Sequence, residues 1–228
     1  MHLGLSADDV LTTTRSVRKR LDFDRPVERS VVLECIDIAL QAPTGSNSQG
    51  WQWMVIEDAD KKRAVADAYA RNFNWYASQP GRSYPDGDTR AERQELVRSS
   101  ATYLAENFHR APFLVIPLIE GRLDEGLGTF AQASQWGSIL PAVWSFMLAL
   151  RERGLGSAWT TLHLPDEREV ADLLGIPFDR YTQAGLFPVA YTKGTDFALA
   201  NRLPAAQLTH WDTFTPPAPS APSATADG

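Results

Sequence analysis

The longest helical pattern in the sequence, from Thr129 to Arg153, constrains the fold more than any other segment. Apolar and small side chains cover most of it, Pro141 lies inside it, and Gly154 follows it directly. A helix with so little polar surface is typical of a buried position or of an interface. The sequence therefore predicts that this helix is central in the fold or lies between two chains.

Shorter helix and strand patterns follow one another irregularly along the rest of the chain. An amphipathic stripe from Val32 to Leu40 predicts a helix that ends before Pro43. Strands are predicted at Trp51–Ile56, Pro112–Ile119, Ser157–Leu162 and Ala184–Tyr191, and helices from Asp58 or Asp60 to about Arg71 and from Asp166 to Leu174. This irregular order favours an α+β fold or a mixed sheet over a regular βαβ array.

Composition favours one globular domain. The 228 residues, 43% of them hydrophobic, suffice for one substantial core. A formal charge of -6 and an isoelectric point near 5.2 provide no positive field for nucleic acid or an anionic membrane. We expect a reduced, cytoplasmic protein, because Cys35 is the single cysteine and neither a signal-peptide core nor a membrane-length apolar window is present. The domain is expected over residues 1–215, with a disordered tail of Pro, Ala and Ser at 216–228.

Residues 72–106 are predicted to form an excursion from the core that serves as a lid. Aromatic side chains are mixed there with Pro and Gly, before the sequence becomes charged and helical through Glu106. Four of these aromatic residues could stack on an aromatic substrate, namely Phe73, Trp75, Tyr76 and Tyr84. Packing within the lid itself would explain them equally well.

A basic cluster near the N-terminus has the composition of an anion site. Arg15 and Arg18 are three residues apart, so on a helical turn both guanidinium groups would lie on the same side, with the Ser16 hydroxyl nearby. Guanidinium groups match phosphate oxygens bidentately, and a helix N-terminus adds free backbone N–H groups. Taken alone, the run RSVRKR is weak evidence, because basic runs are more typical of a solvated helix face.

The loop from Pro43 to Trp51, PTGSNSQGW, concentrates amide and hydroxyl side chains between a helix and a strand. Asn47 and Gln49 each carry a donor and an acceptor, as the pyrimidine edge of an isoalloxazine ring requires. Gly45 and Gly50 would permit close approach of the backbone to such a ring. The alternative is an ordinary capped turn.

The basic cluster at 15–18, followed by the polar loop at 43–51, resembles the signatures of the FMN-dependent nitroreductase family. In that family a basic-Ser-x-basic cluster precedes Pro-Ser-x-x-Asn-x-Gln-Pro-Trp. Two later regions are also similar to the family: GLGSAWTT at 154–161, and LGIP at 174–177 followed by NRLP at 201–204. The resemblance extends over about residues 10 to 212. Four ordered signatures favour phosphate binding over a solvated helix face for the N-terminal cluster.

The resemblance implies a nitroreductase-like α+β fold, with a central and mostly antiparallel sheet flanked by helices. Two chains would intertwine as a homodimer, with FMN at each end of their interface. Thr14 and Ala200 stand where many members have basic residues, and Gly50 replaces a proline. The phosphate should therefore rest chiefly on arginine side chains.

Carried over residue by residue, the resemblance assigns two groups of contacts to FMN. The phosphate would be held by Arg15, Ser16, Arg18 and Arg202. The ring would contact the side chains of Asn47 and Gln49. Backbone groups of the partner chain would line it near Pro43, Thr44 and Ser46. Its N5 edge would lie at Thr160 and Thr161.

The activity that the resemblance implies is ping-pong reduction. NADH or NADPH would give a hydride to flavin N5 and leave, and a nitroaromatic compound or a quinone would then accept it in the same pocket. No side chain is expected to be catalytic, because the flavin itself transfers the hydride. Alternatives are reductive dehalogenation, flavin fragmentation, enone reduction and a low-turnover flavin-sequestering protein. Dehalogenation of a zwitterionic amino acid would call for charged groups at the flavin, and the lid region offers Arg71, Arg82, Asp86 and Asp88 without a clear pattern.

Other motifs carry less weight. GLGTFA at 126–131 fits a dinucleotide fingerprint formally, but the charges of Asp124 and Glu125 directly before it would oppose a pyrophosphate. The histidines show no metal-ligand spacing, so no metal is expected, and each is interpreted as structural or exposed: His2, His109, His163 and His210.

Overall fold

A computed structural model describes residues 1–81, 84, 89–123 and 126–215 of the chain. The helices in chain order are α1 (Ala7–Thr13), α2 (Arg29–Ala39), α3 (Ala59–Ser78), α4 (Thr89–Glu92), α5 (Gln94–Asn107), α6 (Thr129–Glu152) and α7 (Glu167–Leu174). The strands are β1 (Leu21–Asp22), β2 (Trp51–Ile56), β3 (Phe113–Glu120), β4 (Leu155–Gly156), β5 (Tyr181–Gln183) and β6 (Phe187–Thr192). The tail predicted at 216–228 lies outside the described residues, and so do Asp124 and Glu125.

The six strands form one sheet, and each pairing between them is antiparallel. Strands β1, β6, β3 and β2 follow in that order, while β4 pairs with β6 and β5 pairs with β3. In the centre, Val115 of β3 lies between Val55 of β2 and Phe187 of β6. The predicted α+β fold with a mostly antiparallel central sheet is confirmed.

Strand β3 is buried along most of its length because helices cover both faces of the sheet. Leu114 and Ile116 contribute to a core shared with α3, α5 and α7. Phe113 and Val115 contribute to a second core, shared with α2 and α6. Successive strand residues face opposite sides, so one continuous apolar run serves two cores.

Helix α6 is the principal helix of the second core, as the sequence predicts for a central element. Its inward side buries Val143 and Phe146 completely. Another part of its surface leaves Phe130 and Trp144 exposed by 86% and 38%. A cavity of about 510 Å³ also lies between Ile38 of α2 and Pro141 of α6. The helix is therefore buried on one side and apolar on a side that the described residues leave uncovered.

Helix α3 is longer than predicted, because it continues to Ser78 instead of ending near Arg71. Val65, Tyr69 and Phe73 follow one another at intervals of four residues and are all buried, so the apolar stripe of the helix simply continues. The described part of the predicted lid at 72–106 is mostly helical, since it consists largely of the end of α3 together with α4 and α5.

The segment from Arg15 to Arg18 is not a helical turn, contrary to the prediction. Helix α1 ends at Thr13, and Ser16 instead forms an isolated bridge with Ser157. The Thr14 hydroxyl donates a 2.7 Å hydrogen bond to the carbonyl of Val10 in the last turn. A run of β-branched threonines with such local hydrogen bonds favours the end of a helix over its continuation.

The strand predicted at Ser157–Leu162 is also wrong, because β4 covers only Leu155–Gly156. Thr160 then pairs with Leu186 in an isolated bridge. This contact depends on Gly185, where an added Cβ would lie 3.1 Å from the carbonyl oxygen of Thr160. The segment therefore approaches the start of β6 at one point instead of running along it.

Candidate functional site

Arg15 connects the N-terminal segment to the C-terminal part of the chain. Its Nη1 donates to the carbonyl of Thr14 at 3.0 Å, and its Nη2 donates to the carbonyl of Ala198 at 2.5 Å. Burial lowers the pKa of Arg15, and the positive charge of Arg202 lowers it further. The two guanidinium groups are therefore close enough to repel each other.

The three arginines assigned to the phosphate lack carboxylate partners. None of Arg15, Arg18 and Arg202 forms an ion pair within the described residues. Within the described part of the chain, the side chain of Arg18 makes a single, long hydrogen bond of 3.5 Å to the Ser100 hydroxyl. Neighbouring Arg20, by contrast, is paired with Asp196 at 2.8 Å. Arginines that protein carboxylates leave unneutralised match the chemistry of an anionic ligand, and the charge of Arg202 acts on Arg15, whereas Arg18 contacts Ser100.

A buried hydroxyl lies beside this cluster. Val17 donates its backbone N–H to the carbonyl of Ser157 at 2.8 Å, which aligns Ser157 with exposed Ser16. The Oγ of Ser157 is buried and has no hydrogen-bond partner. Gly156 permits this approach, because an added Cβ would lie 3.0 Å from the Cβ of Val17. The N-terminal segment and the segment that leads to Thr160 therefore belong to one local structure.

The polar loop before β2 has a constrained backbone and an exposed surface. Ser46, Asn47 and Gln49 all have positive φ, a conformation that costs a non-glycine residue on the order of 1 kcal/mol or more. Gln49 donates its side-chain N–H to Oδ1 of Asn47 at 2.9 Å and its backbone N–H to Oγ1 of Thr44 at 3.2 Å. Pro43 and Ser46 are exposed. Strained polar loops of this kind are concentrated at binding sites.

Within one chain, this loop does not meet the arginines. Gly45 is fixed to Ser138 of α6, whereas Arg151, near the other end of α6, reaches Thr13 beside the arginine cluster. At 1.5 Å per residue, these two points on the helix are about 20 Å apart. The structure thus brings Ser16 and the Thr160 segment together and places the loop elsewhere.

Thr160 and Thr161 differ in what they can offer to a ligand. The Thr160 hydroxyl is buried and already donates to the carbonyl of Leu186 at 2.6 Å. Thr161 is exposed, and its carbonyl accepts from the N–H of Leu164 at 3.0 Å. The side chain that remains available for a ligand is therefore that of Thr161.

The segment after Thr161 is fixed by a buried histidine. His163 is fully buried, and its Nε2 lies 3.1 Å from Oε1 of Gln183 in β5. Burial lowers the pKa of His163 to about 4, although the hydrogen bond to Gln183 acts in the opposite direction. On the other side, Asp166 accepts hydrogen bonds from Arg71 and Asn72 of α3. His163 is structural, as the sequence suggests.

The four aromatic residues considered for substrate stacking occupy different environments. Phe73 is only 6% exposed and stacks on Tyr69 with 6.2 Å between ring centroids, so it belongs to the core and not to a lid surface. Trp75 and Tyr76 are 64% and 60% exposed near the end of α3. The Tyr84 hydroxyl accepts a 3.1 Å hydrogen bond from Gln94. Trp75 and Tyr76 are therefore the candidates most accessible to a ligand.

Sequence reasoning missed three residues that organise this region: Ser138, Arg151 and Phe197. Ser138 accepts from the loop, and Arg151 lies next to the ring of Phe197. One signal was visible, since Arg151 is a charged residue in an otherwise mostly apolar helix. Ser138 and Phe197 have no comparable sequence signal.

The described residues contain no group of three or more His, Cys, Asp or Glu that could hold a metal ion. In the same part of the chain, no helix has both the length and the apolar character that crossing a membrane requires.

Comparisons with known proteins identify a family and similar proteins. A sequence model described as "Nitroreductase family" matches residues 11–191. The chain is 27% identical over 184 residues to iodotyrosine deiodinase from Thermotoga neapolitana, which is 79% of this chain and 86% of that protein. It is 26% identical over 157 residues to 5,6-dimethylbenzimidazole synthase from Rhodospirillum rubrum, 67% of each. The fold resembles the crystal structure of a variant of an FMN and NADPH-dependent nitroreductase from Sphigopyxis sp., with a TM-score of 0.66, 24% identity, and coverage of 92% of this chain and 100% of that one.

Proposed function

Since the chain belongs to the nitroreductase family, we propose that it binds FMN and reduces a nitroaromatic compound or a quinone with electrons from NADH or NADPH. The observation that carries the proposal is that three arginines form no ion pair among the described residues, namely Arg15, Arg18 and Arg202. The described ion pairs leave these charges unneutralised, as a site for a dianionic phosphate requires.

The phosphate would be held by side chains from both ends of the chain. Arg15 and Arg202 would each offer guanidinium N–H groups, and a phosphate between them would relieve their mutual repulsion. Arg18 would exchange its 3.5 Å hydrogen bond to Ser100 for a stronger bond to the phosphate. Ser16 would donate its exposed hydroxyl.

The ring would require a second copy of the chain. The loop with Asn47 and Gln49, together with Pro43, Thr44 and Ser46, is far from the arginines of its own chain. A homodimer would also cover the exposed apolar surface of α6, including Trp144, and that of α2, including Leu33. Nδ2 of Asn47 and Oε1 of Gln49, which have no hydrogen-bond partner among the described residues, would then offer a donor and an acceptor to the pyrimidine edge.

Bound FMN would supply the redox chemistry, which is two-electron hydride transfer between a reduced nicotinamide and the substrate. The protein would supply binding and orientation. Thr161 would lie at the reactive edge of the ring, next to Thr160, whose hydroxyl is held by Leu186. Trp75 and Tyr76 would stack on a small aromatic substrate and reduce the access of water.

Spectroscopy and steady-state kinetics test this proposal. The purified protein should show the visible absorbance of flavin, which should bleach on anaerobic addition of NADPH or NADH and return on addition of a nitroaromatic compound or a quinone. A protein that neither retains nor rebinds FMN contradicts the proposal. Slow bleaching of bound flavin would instead support the low-turnover flavin-sequestering alternative.

Reductive dehalogenation is the second candidate, and the similarity to iodotyrosine deiodinase favours it. One structural observation weakens it for a zwitterionic substrate: Arg71 is already paired with Asp166 and Glu169, which also raise its pKa. Arg82, Asp86 and Asp88 lie outside the described residues. Comparing a nitroaromatic compound, a quinone and a halotyrosine under the same conditions separates the two reactions, because the preferred substrate will have the highest kcat/KM.

A further inference from the structure

The C-terminal segment that carries Arg202 is held to the rest of the protein through the ring of Phe197. The guanidinium carbon of Arg20 lies 4.2 Å from the ring centroid, and that of Arg151 lies 5.0 Å from it. Arg20 also donates to the carbonyls of Lys193 and Asp196 at 3.0 Å and 2.8 Å. The ring and the backbone of this segment are therefore fixed by the same arginine.

Arg151 is a buried cation without a counter-ion among the described residues. It is 6% exposed, donates from Nε and Nη2 to Oγ1 of Thr13 at 3.3 Å and 3.2 Å, and leaves Nη1 without a partner. Arg153, two residues later and equally buried, is instead paired with Glu34. An aromatic face attracts a desolvated cation more strongly than a solvated one. The ring of Phe197 thus adds to the attraction that the more distant carboxylates of Glu152 and Asp9 exert on Arg151.

The segment fixed in this way leads directly to the proposed phosphate site. The carbonyl of Ala198, the residue after Phe197, accepts a hydrogen bond from Arg15. Arg202 follows four residues later, close enough for its charge to act on Arg15. Two cations near one another separate unless other contacts hold them together, and contacts at Phe197 hold the backbone that carries Arg202.

We infer that Phe197, between Arg20 and Arg151, is a positioning residue that keeps Arg202 beside Arg15 and so sets the affinity of the site for the phosphate group of FMN. This inference rests on the proposed function. It adds a role for an aromatic side chain that does not touch the phosphate.

The test compares the binding of FMN and of riboflavin, which lacks the phosphate, by flavin fluorescence titration. Phe197→Leu keeps an apolar side chain but removes the ring, and FMN affinity should fall about tenfold, while riboflavin affinity stays unchanged. Phe197→Tyr keeps the ring and should restore FMN affinity. Arg151→Met should reproduce the loss, whereas Arg153→Met, which removes an already paired charge directly after the same helix, should not.

A double-mutant cycle separates positioning from a general loss of structure. In an Arg202→Ala background, Phe197→Leu should cause no further loss of FMN affinity, because the residue through which it acts is gone. Equal losses for FMN and riboflavin, or full additivity with Arg202→Ala, would overturn the inference. If Phe197→Leu does not fold, the comparison of Arg151→Met with Arg153→Met tests the inference instead. Arg151→Met alone should then lower FMN affinity while riboflavin affinity stays unchanged. If the wild-type protein binds FMN no better than riboflavin, both the phosphate site and this inference are overturned. If the wild-type protein prefers FMN and both Phe197→Leu and Arg151→Met retain that preference, the inference alone is overturned.

Discussion

The backbone N–H of Gly45 donates a 3.0 Å hydrogen bond to the hydroxyl of Ser138, which fixes the polar loop to one point on α6. The same hydroxyl donates to the carbonyl of Ser134 at 2.8 Å. The carbonyl of Ser138 accepts from the indole N–H of Trp51 at 2.7 Å, directly after the loop. One buried serine therefore holds the loop near both of its ends.

Ser138→Ala should destabilise the protein, because it leaves the N–H of Gly45 without its acceptor. We expect a loss of about 1–2 kcal/mol in the free energy of unfolding, which corresponds to a decrease in Tm of about 2–8 °C for a protein of this size. Thermal and urea denaturation measure the change. Ser134→Ala is the matched control on the same helix and should change stability by less than about 0.5 kcal/mol. Equal stability of the two variants would contradict the anchoring role of Ser138.

Removing an unpaired arginine should weaken FMN binding more than removing a neighbouring lysine. Arg18→Ala and Arg202→Ala should each lower FMN affinity about 10-fold to 100-fold, as expected for charge-assisted hydrogen bonds. Lys19→Ala should have a smaller effect, because the Lys19 ammonium already donates to the hydroxyl of Ser99 at 2.7 Å. Fluorescence titration at two salt concentrations tests this difference. The three variants losing affinity to the same extent would argue against the assignment.

His163 should make the protein less stable in mild acid. Burial lowers its pKa to about 4, whereas an unfolded histidine titrates near pH 6.5. Between these two pH values His163 is protonated in the unfolded chain and neutral in the folded protein. Its contribution to stability is therefore complete above about pH 6.5 and is lost as the pH falls toward 4. The loss should be on the order of 3 kcal/mol. Urea denaturation across this range should show a shallower pH dependence for His163→Gln, with exposed His210→Gln as the control. If the free energy of unfolding of His163→Gln depends on pH as steeply as that of the wild-type protein, His163 is not the origin of the acid sensitivity.

Gly156→Ala should disturb the proposed phosphate site indirectly, by displacing the segments that pack against residue 156. The new Cβ would lie 2.7 Å from Cγ2 of Thr192 and 3.0 Å from the Cβ of Val17, so β4, β6 or the N-terminal segment must shift. We expect destabilisation of about 1–3 kcal/mol together with weaker FMN binding. Adding Thr192→Ser removes the nearest methyl group and should recover part of the stability. If the double variant is no more stable than Gly156→Ala, the close contact with Thr192 is not the cause.

Repeating patterns within one element were predictable from the sequence, and contacts between elements were not. The strand Trp51–Ile56 and the helix that begins at Thr129 follow from local side-chain patterns and were predicted correctly. The failure at Ser157–Leu162 has a non-local cause, because the pairing partner and the approach of Gly185 decide the conformation there. Similarly, the prediction that Arg15 binds an anion came from its neighbours in the sequence, but its hydrogen bond to Ala198 is visible only in the folded chain.

Arg15 and Arg202 belong to opposite ends of the described chain, and this has a consequence for biosynthesis. A ribosome releases Arg15 long before Arg202, so a chain arrested after β6 but before Arg202 would contain the strands of both cores while lacking one of the proposed phosphate ligands. Cleavage by a protease after Ala198 would produce the same deficit in a finished molecule. Cofactor loading would thus report whether translation has passed Arg202 and whether that end has remained intact.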